Sequence, residues 1–252
     1  FTALNSRLAA LSAVKGGGLA RACRAGRLLA LVLSDVIGDD LEVIASGPCM
    51  PREATAPAGA WTTPSGCVVR HVVVGSNATA VNAAADAARA LGYDVLVRHT
   101  APDSPTESAA DEVGRRLAAE AVAVAAESRR DGRPRAIVEG GESTVVVPAD
   151  HGVGGRNQQT VLAALAALGP AAWPADLLVA SLGTDGEDGP TTAAGGFADA
   201  TVAAAIGARG LDVARALARR DSHPLLAAAG GLVITGPTGT NVADVRLVLA
   251  RP

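Results

Sequence analysis

The sequence predicts an α/β protein in two parts, and three observations carry that prediction. Short apolar runs fit for buried strands, at residues 28–33, 68–74 and 177–182, alternate with longer alanine-rich stretches of helical spacing. Polar, glycine-rich loops border these runs: SDVIGDD at 34–40, GGES at 140–143, GGRNQ at 154–158 and GTDGEDGPT at 183–191. Residues 51–66 are rich in Pro, Ala, Thr and Gly without any period, which makes them the best linker in the chain. The length of 252 residues suits one large or two modest domains, and 49% hydrophobic residues suffice for a core.

Taken in order, residues 5–14 have helical spacing through Leu8 and Leu11, and Lys15 with three glycines stops them. A short helix follows over 19–25, then the strand at 28–33. Its carboxyl end runs into SDVIGDD, the place where open α/β sheets bind ligands. Residues 41–45 make a helical turn before SGP at 46–48. Beyond the linker, a strand at 68–74, a helix at 78–91, a strand at 93–98 and a long helix at 104–129 make parallel pairing the default. Asp103 or Ser104 can cap that long helix, and Asp131-Gly132 ends it. Short strands are expected at 136–139 and 144–147, flanking GGES. A helix at 155–168, a strand at 177–182, helices at 201–207 and 212–219, and strands at 232–235 and 245–249 complete the chain. GPTGTN at 236–241 separates the last two strands.

A net charge of −3 argues against nucleic acid as the main partner. No apolar run approaches the ~20 residues of a membrane span, and no signal peptide opens the chain. Cys23, Cys49 and Cys67 lack CxxC or Cys/His ligand spacing, so reduced thiols in a cytoplasmic protein are expected. The chain opens on Phe1 inside helix-like text, which suggests a piece of something longer. Lys15 is the single lysine against 21 arginines.

Each polar loop has a chemical reading and a plainer one. Asp35, Asp39 and Asp40 could hold Mg²⁺ or position a hydroxyl, or could simply form a solvated turn. GGES and GGRNQ put mobile backbone beside polar side chains at a helix N-terminus, where amides attract anions. Arg156 there adds a planar fork for carboxylate or phosphate, and function is the preferred reading for it over a surface ion pair. Asp185 and Asp188, near Thr191, could supply the one or two carboxylates a phosphate-bound Mg²⁺ needs, or could cap the next element. Thr238 and Asn241 offer hydrogen bonds or close a tight turn. No GxxxxGK[ST], GxGxxG after a strand, or GxSxG occurs, so Walker A, dinucleotide and Ser-His-Asp readings have no support. The four histidines are scattered.

The chain resembles the glycerate 2-kinase family whose C-terminal half is called the MOFRL domain. The text that carries the resemblance is KGG-LA at 15–20, LSDVIGDDLEVIASGP at 33–48, VGSN at 74–77, GGEST at 140–144, GGRNQ, GTDGEDGPT and TGPTGTNVAD at 235–244, in family order. The resemblance implies two α/β domains, and the Pro/Ala-rich stretch sets their boundary: residues 1–66 as the remnant of a Rossmann-like N-terminal domain and 67–252 as a MOFRL-type α/β domain with a mixed sheet. It implies an active site in the cleft between the two domains, ATP and Mg²⁺ as cofactors, and D-glycerate phosphorylated to 2-phosphoglycerate. It places Arg156 in a catalytic role. Ser34, Asp35, Gly140, Gly141, Glu142, Gly154, Gly155, Asn157, Gln158, Thr191, Thr238 and Asn241 are then expected around substrate and nucleotide, and Asp185 and Asp188 on the metal. The family's other proposed catalytic residue, a lysine in an early GKA motif, and its SGGGSA loop are not in this sequence. The family's KGGR is KGGG at Gly18, and its Asn-Asp-Ser-Tyr stretch is DSHP at 221–224. The competing expectation is a catalytically incomplete relative that binds an anion or a partner. Exposed strand surface in the first part would then favour a homodimer. A hydroxypyruvate reductase is the third and weakest.

Overall fold

A computed structural model describes residues 11–51, 60–100 and 109–252. The chain divides into two units, Phe1–Ser76 and Asn77–Pro252. Much of the expected helix at 5–14, the centre of the linker, and the Asp103/Ser104 cap lie outside the described residues.

In the first unit a short helix α1 (Gly18–Ala22) precedes β1 (Arg27–Leu33), β2 (Ala60–Thr62) and β3 (Val68–Gly75). The sheet order is β1-β3-β2, with β3 parallel to β1 and antiparallel to β2. Two motifs read separately in the sequence meet here. The Gly16 and Gly17 amides donate to the Ser46 and Gly47 carbonyls at 3.0 and 2.8 Å. The strand at 68–75 belongs to this sheet, so the division falls at Ser76/Asn77 instead of the expected 66/67. Parallel pairing does occur, but with β1, not with the next strand. Alternate residues of β1, Leu29, Leu31 and Leu33, are exposed, so this sheet shows the apolar surface the sequence led us to expect. The three cysteines are free thiols.

The second unit holds α2 (Asn77–Ala90), β4 (Asp94–Arg98), α3 (Ala110–Asp131), β5 (Arg135–Gly141), α4 (Arg156–Leu168), β6 (Leu177–Gly183), β7 (Gly195–Ala198), α5 (Ala200–Ala208), α6 (Val213–Ala218), α7 (Ser222–Ala229), β8 (Leu232–Val233) and β9 (Asp244–Ala250). The sheet order is β4-β5-β9-β6-β7-β8, and only β4–β5 is parallel. The last strand is thus inserted at the centre. Both faces of the sheet are covered, following the period of two along each strand. Val138 and Val245 face α2 through Val81 and Ala85. Ile137, Val179 and Val248 face the other way, into the main core with Leu117 of α3 and Leu162 and Leu165 of α4.

Among the described residues, 144–147 do not form the expected strand but make a single bridge, between Ala109 and Thr144. Three elements the sequence did not announce are β2, inside the expected linker, β7, whose sequence GGFA has a strand former at one position of four, and α7, which tolerates Pro224 in its first turn. The long helix ends as expected, with Gly132 left-handed at φ 65°.

Helices α3 and α4 cross at Gly114. A Cβ there would lie 2.2 Å from the Thr160 carbonyl oxygen and 2.6 Å from the Ala163 methyl. Backbone cannot rotate away, so the overlap outweighs the gain of ~1 kcal/mol in helix propensity from glycine to alanine. Gly114→Ala is expected to destabilise the unit by about 1–3 kcal/mol, measured by urea unfolding. A variant as stable as the parent would mean the crossing is looser than its geometry.

Candidate functional site

The stretch GGRNQ opens α4, and the sequence explains why it needs each residue. Gly155 is the N-cap, yet no side chain of its own is available to satisfy the first amides. Asp188, from the loop after β6, does so instead. Its Oδ1 accepts from the Asn157 amide at 3.0 Å, and its Oδ2 accepts from the Gln158 amide at 2.8 Å and from Gln158 Nε2 at 3.0 Å. Gly155 has to be glycine because a Cβ would lie 2.2 Å from Asp188 Cγ. Asp188 is 2% exposed. Burial pushes its carboxyl above the ordinary carboxylate value, the amide bonds pull the other way, and the neighbouring Asp244 charge adds to the rise.

Arg156, first residue of α4, is gripped by Asp244, first residue of β9. Nε and Nη2 donate to the two carboxylate oxygens at 2.8 and 2.9 Å, a bidentate fork. Nη1 lies 3.3 Å from Glu142 Oε1. Asp244 is fully buried, and its Oδ1 also accepts from Asn157 Nδ2 at 3.0 Å. Its backbone is held in turn by Asn77 Nδ2, which donates to the carbonyls of Val242 and Asp244, both at 2.9 Å. Burial alone would lower the Arg156 pKa, but the bonds to Asp244 and the charges of Asp244 and Glu142 outweigh it and hold the guanidinium above its usual value. Arg156 therefore stays cationic at every working pH.

Beside it opens a cavity of about 710 Å³, lined by Glu142, Gly154, Gly155, Arg156, His151 and Arg220 among others. Its walls come from the GGES end of β5, the GGRNQ entry to α4 and Gly189 of the GTDGEDGPT loop. The three loops singled out in the sequence do converge.

The expected site residues separate into groups. Glu142, Gly154, Gly155 and Arg156 line the cavity. Gly140 and Gly141 end β5, where a Cβ on Gly140 would overlap Asn77 Oδ1. Asn157 and Gln158 are buried and committed to structure. Asn157 links Asp188, Asp244 and Ser181, while Gln158 links Asp188, Thr191 and His223. Thr191 Oγ1 donates to the Asp188 carbonyl, and Thr238 Oγ1 to the Thr184 carbonyl. Asn241 Oδ1 accepts from the Ala243 amide. These last five brace loops and do not line the cavity. In the first unit, Ser34 is buried in a turn with Val36 and Asp35 is exposed.

Asp188 departs from its expected place on a metal: the acid next to a glycine is a buried helix cap. Asp185 is half-buried, with Oδ1 accepting from the Glu187 amide. Among the described residues no group of three or more His, Cys, Asp or Glu stands ready for a metal ion. The residue with no foreseen role is Asp244. It closes the TGPTGTNVAD stretch of the resemblance, and beyond that its sequence signal is that of an acid opening an apolar strand.

Residues 135–244 match the MOFRL family, and residues 2–71 match a domain of unknown function (DUF4147). A glycerate kinase of Macaca fascicularis is 36% identical over 99% of this chain and 78% of its own length. The human glycerate kinase is also 36% identical over 99% of this chain. The crystal structure of a glycerate kinase from Thermotoga maritima superposes with a TM-score of 0.84 at 34% identity, covering 98% of this chain and 63% of that one. The chain belongs to the glycerate kinase family. It spans 60% of the length of the human relative. Among the described residues, no helix is long and apolar enough to cross a membrane.

Proposed function

We propose that this chain carries the site of an ATP-dependent glycerate 2-kinase, which transfers the γ-phosphoryl group to the 2-hydroxyl of D-glycerate. The observation that supports this most is the Arg156–Asp244 fork, which fixes a permanent cation at the rim of the cavity with Nη1 outside the fork. In such a transfer the substrate hydroxyl oxygen bonds to phosphorus, the bond to the β-phosphate bridging oxygen breaks, and the hydroxyl proton is released. The protein's work is placement and charge neutralisation. A guanidinium that is already oriented and desolvated on one edge suits both tasks, because it pays no reorganisation when charge moves onto the phosphoryl oxygens. Asp185, with one oxygen outside its turn hydrogen bond, is the side chain of this unit that would hold a magnesium ion brought by the nucleotide, which would supply further charge neutralisation. Asp188 would act only through α4.

The test is ATP-dependent phosphate transfer to D-glycerate by the 252-residue chain, with Mg²⁺ and with Arg156→Ala alongside. Turnover is expected in the parent and only background in the variant. A folded parent chain that binds ATP and glycerate but transfers nothing would defeat the reading in favour of an anion-binding protein. Equal turnover in both proteins would remove Arg156 from the chemistry.

A further inference from the structure

The three cysteines take no part in the cavity, and all of them lie in the first unit. No CxxC spacing links them, yet the fold gathers them into one corner. Helix α1 lies along the SGP stretch: the Gly17 amide donates to the Gly47 carbonyl at 2.8 Å, and the Ala20 amide to the Pro48 carbonyl at 3.4 Å. Cys23 ends α1, its amide donating to the Ala20 carbonyl at 3.1 Å, and Cys49 follows Pro48 directly. Trp61 Nε1 of β2 donates to the Cys49 carbonyl at 2.7 Å and pins it there.

Cys67 reaches the same corner from the start of β3. The next amide, Val68, donates to the Gly26 carbonyl at 3.0 Å, and Ser65 Oγ donates to the Cys23 carbonyl at 3.4 Å. Thr63 holds Cys67 at both backbone groups: its amide donates to the Cys67 carbonyl at 2.9 Å, and its Oγ1 accepts from the Cys67 amide at 3.0 Å. The Cys23 and Cys67 thiols come within hydrogen-bonding reach of each other, whereas Cys49 meets Cys23 only through the longer-ranged charge interaction. Exposure separates their roles. Cys67 is 1% exposed, and Cys23 keeps partial exposure. Burial, with the neighbouring Cys23 thiol, pushes the Cys67 thiol above its ordinary value, so Cys67 is poorly placed to attack first. A thiol closed to solvent but in contact with a more open one is placed to complete an exchange that the open one begins.

We infer that Cys23 and Cys67 are an oxidation site, which a small-molecule disulfide converts to a reversible intramolecular bridge while Cys49 stays a free thiol. The Cys23 thiolate attacks one sulfur of the oxidant, the oxidant's S–S bond breaks, and one small thiolate leaves. The Cys67 thiolate then attacks the Cys23 sulfur, the mixed disulfide breaks, and the second small thiolate leaves. Two electrons pass from the protein thiols to the oxidant, and the two thiol protons end on the departing thiolates. The backbone bonds that set the two segments side by side are already made in the reduced fold, so the fold prepares this pair. Chain length favours other pairs, since the Cys23–Cys49 and Cys49–Cys67 loops are shorter and close at less entropic cost. Fold and chain statistics therefore predict different bridges. The inference stands apart from the kinase reading.

The experiment treats the whole 252-residue chain with oxidised glutathione, once under native conditions and once in urea. Remaining thiols are blocked with iodoacetamide, and the cysteine peptides are mapped by mass spectrometry. The native chain is expected to lose two of its three free thiols, joined as Cys23–Cys67, with Cys49 alkylated and dithiothreitol restoring all three. In urea the two shorter bridges are expected to outnumber Cys23–Cys67. Cys49→Ser is expected to close the native bridge within about threefold of the parental rate. Cys67→Ala is expected to hold a lasting glutathione adduct on Cys23, for want of the thiol that expels it. Cys23→Ser leaves the buried Cys67 in place and is expected to keep it reduced, which tests the order of attack even if the Cys67 variant fails to fold. Three free thiols in the oxidised native chain, a native bridge that includes Cys49, a lasting adduct on Cys23 of the parent, or Cys23–Cys67 no more frequent in the fold than in urea would each overturn the inference.

Discussion

Asp244→Ala is expected to destabilise the second unit by about 3–5 kcal/mol and to remove phosphate transfer with it, because it leaves a buried ion pair with one partner. The bidentate bond to Arg156 and the bond from Asn157 Nδ2 both end on this carboxylate. On its other side, Asp244 Oδ2 lies 3.8 Å from Arg246 Nη2, and both side chains are fully buried. Arg246 in turn meets Glu139, which accepts two bonds from Arg116 at 2.9 and 2.6 Å. Charges therefore alternate along β9 and β5 from the cavity to the helix α3, and deleting one acid leaves adjacent cations facing each other in a low dielectric. Asp244→Asn keeps the shape but offers an amide NH₂ where only acceptors fit, so it is expected to recover part of the stability and none of the Arg156 geometry. Urea midpoints and turnover of the two variants check this. An Asp244→Ala protein that unfolds at the parental midpoint would show that solvent replaces the carboxylate at little cost.

The outcome bears on how the site is built. Arg156 is useful to a moving negative charge only if it does not itself have to move, and a fork held on two nitrogens leaves little freedom. The carboxylate that holds it comes from a strand buried at the sheet's centre, between β5 and β6, and its carbonyl is pinned by Asn77. The rigid part of the unit is thus in direct contact with the reactive rim. The loops around it, with their glycines at Gly154, Gly155 and Gly189, supply space.

How much of this was legible in the sequence follows from which signals are local. A glycine pair before an alanine-rich stretch marks where α4 starts, and an arginine at that start marks a charge at a helix mouth; both were readable and both stand. The alternation of apolar runs with helical stretches gave most strands within a residue or two. The partner of Arg156 was not readable, since Asp244 lies 88 positions away and reaches it only because β9 inserts antiparallel between two earlier strands. No local pattern encodes that insertion. Nor could the sequence tell Asp185 from Asp188. Both are acids beside glycines in one loop, and a cap and a metal ligand look alike until burial separates them. In β7 the tight approach of Gly195 to the Ser181 carbonyl, where a Cβ would come within 2.1 Å, demands glycine and so erases the strand signal. Likewise the boundary at 66/67 followed composition, whereas the pairing of β3 with β1 decided it.

Asp188→Ala carries the other large effect: the loss of stability tests the cap assignment, and its pH dependence tests whether burial or the helix amides dominate the carboxyl. Removing the carboxylate strands the backbone amides of Asn157 and Gln158, each at about 1–3 kcal/mol, and takes one bond from Gln158 Nε2, which keeps Thr191 Oγ1, while relieving the cost of burying a charge, so a net loss of about 2–4 kcal/mol is expected near neutral pH. The sign of the pH term follows from the folded carboxyl being raised above its ordinary value of 3.8, chiefly by burial. A carboxyl of that kind favours its protonated form in the fold, so its contribution is fully present below the unfolded pKa and shrinks as pH rises through the folded one. The stability difference between parent and Asp188→Ala is therefore expected to be larger at about pH 4 than at about pH 8, read from urea unfolding at both. A difference that grows with pH would mean the amides of α4 outweigh burial and hold Asp188 ionised below its ordinary range. Either sign keeps it on the helix; equal stability of the two proteins at all pH values would take it off and return it to the acids open to a metal.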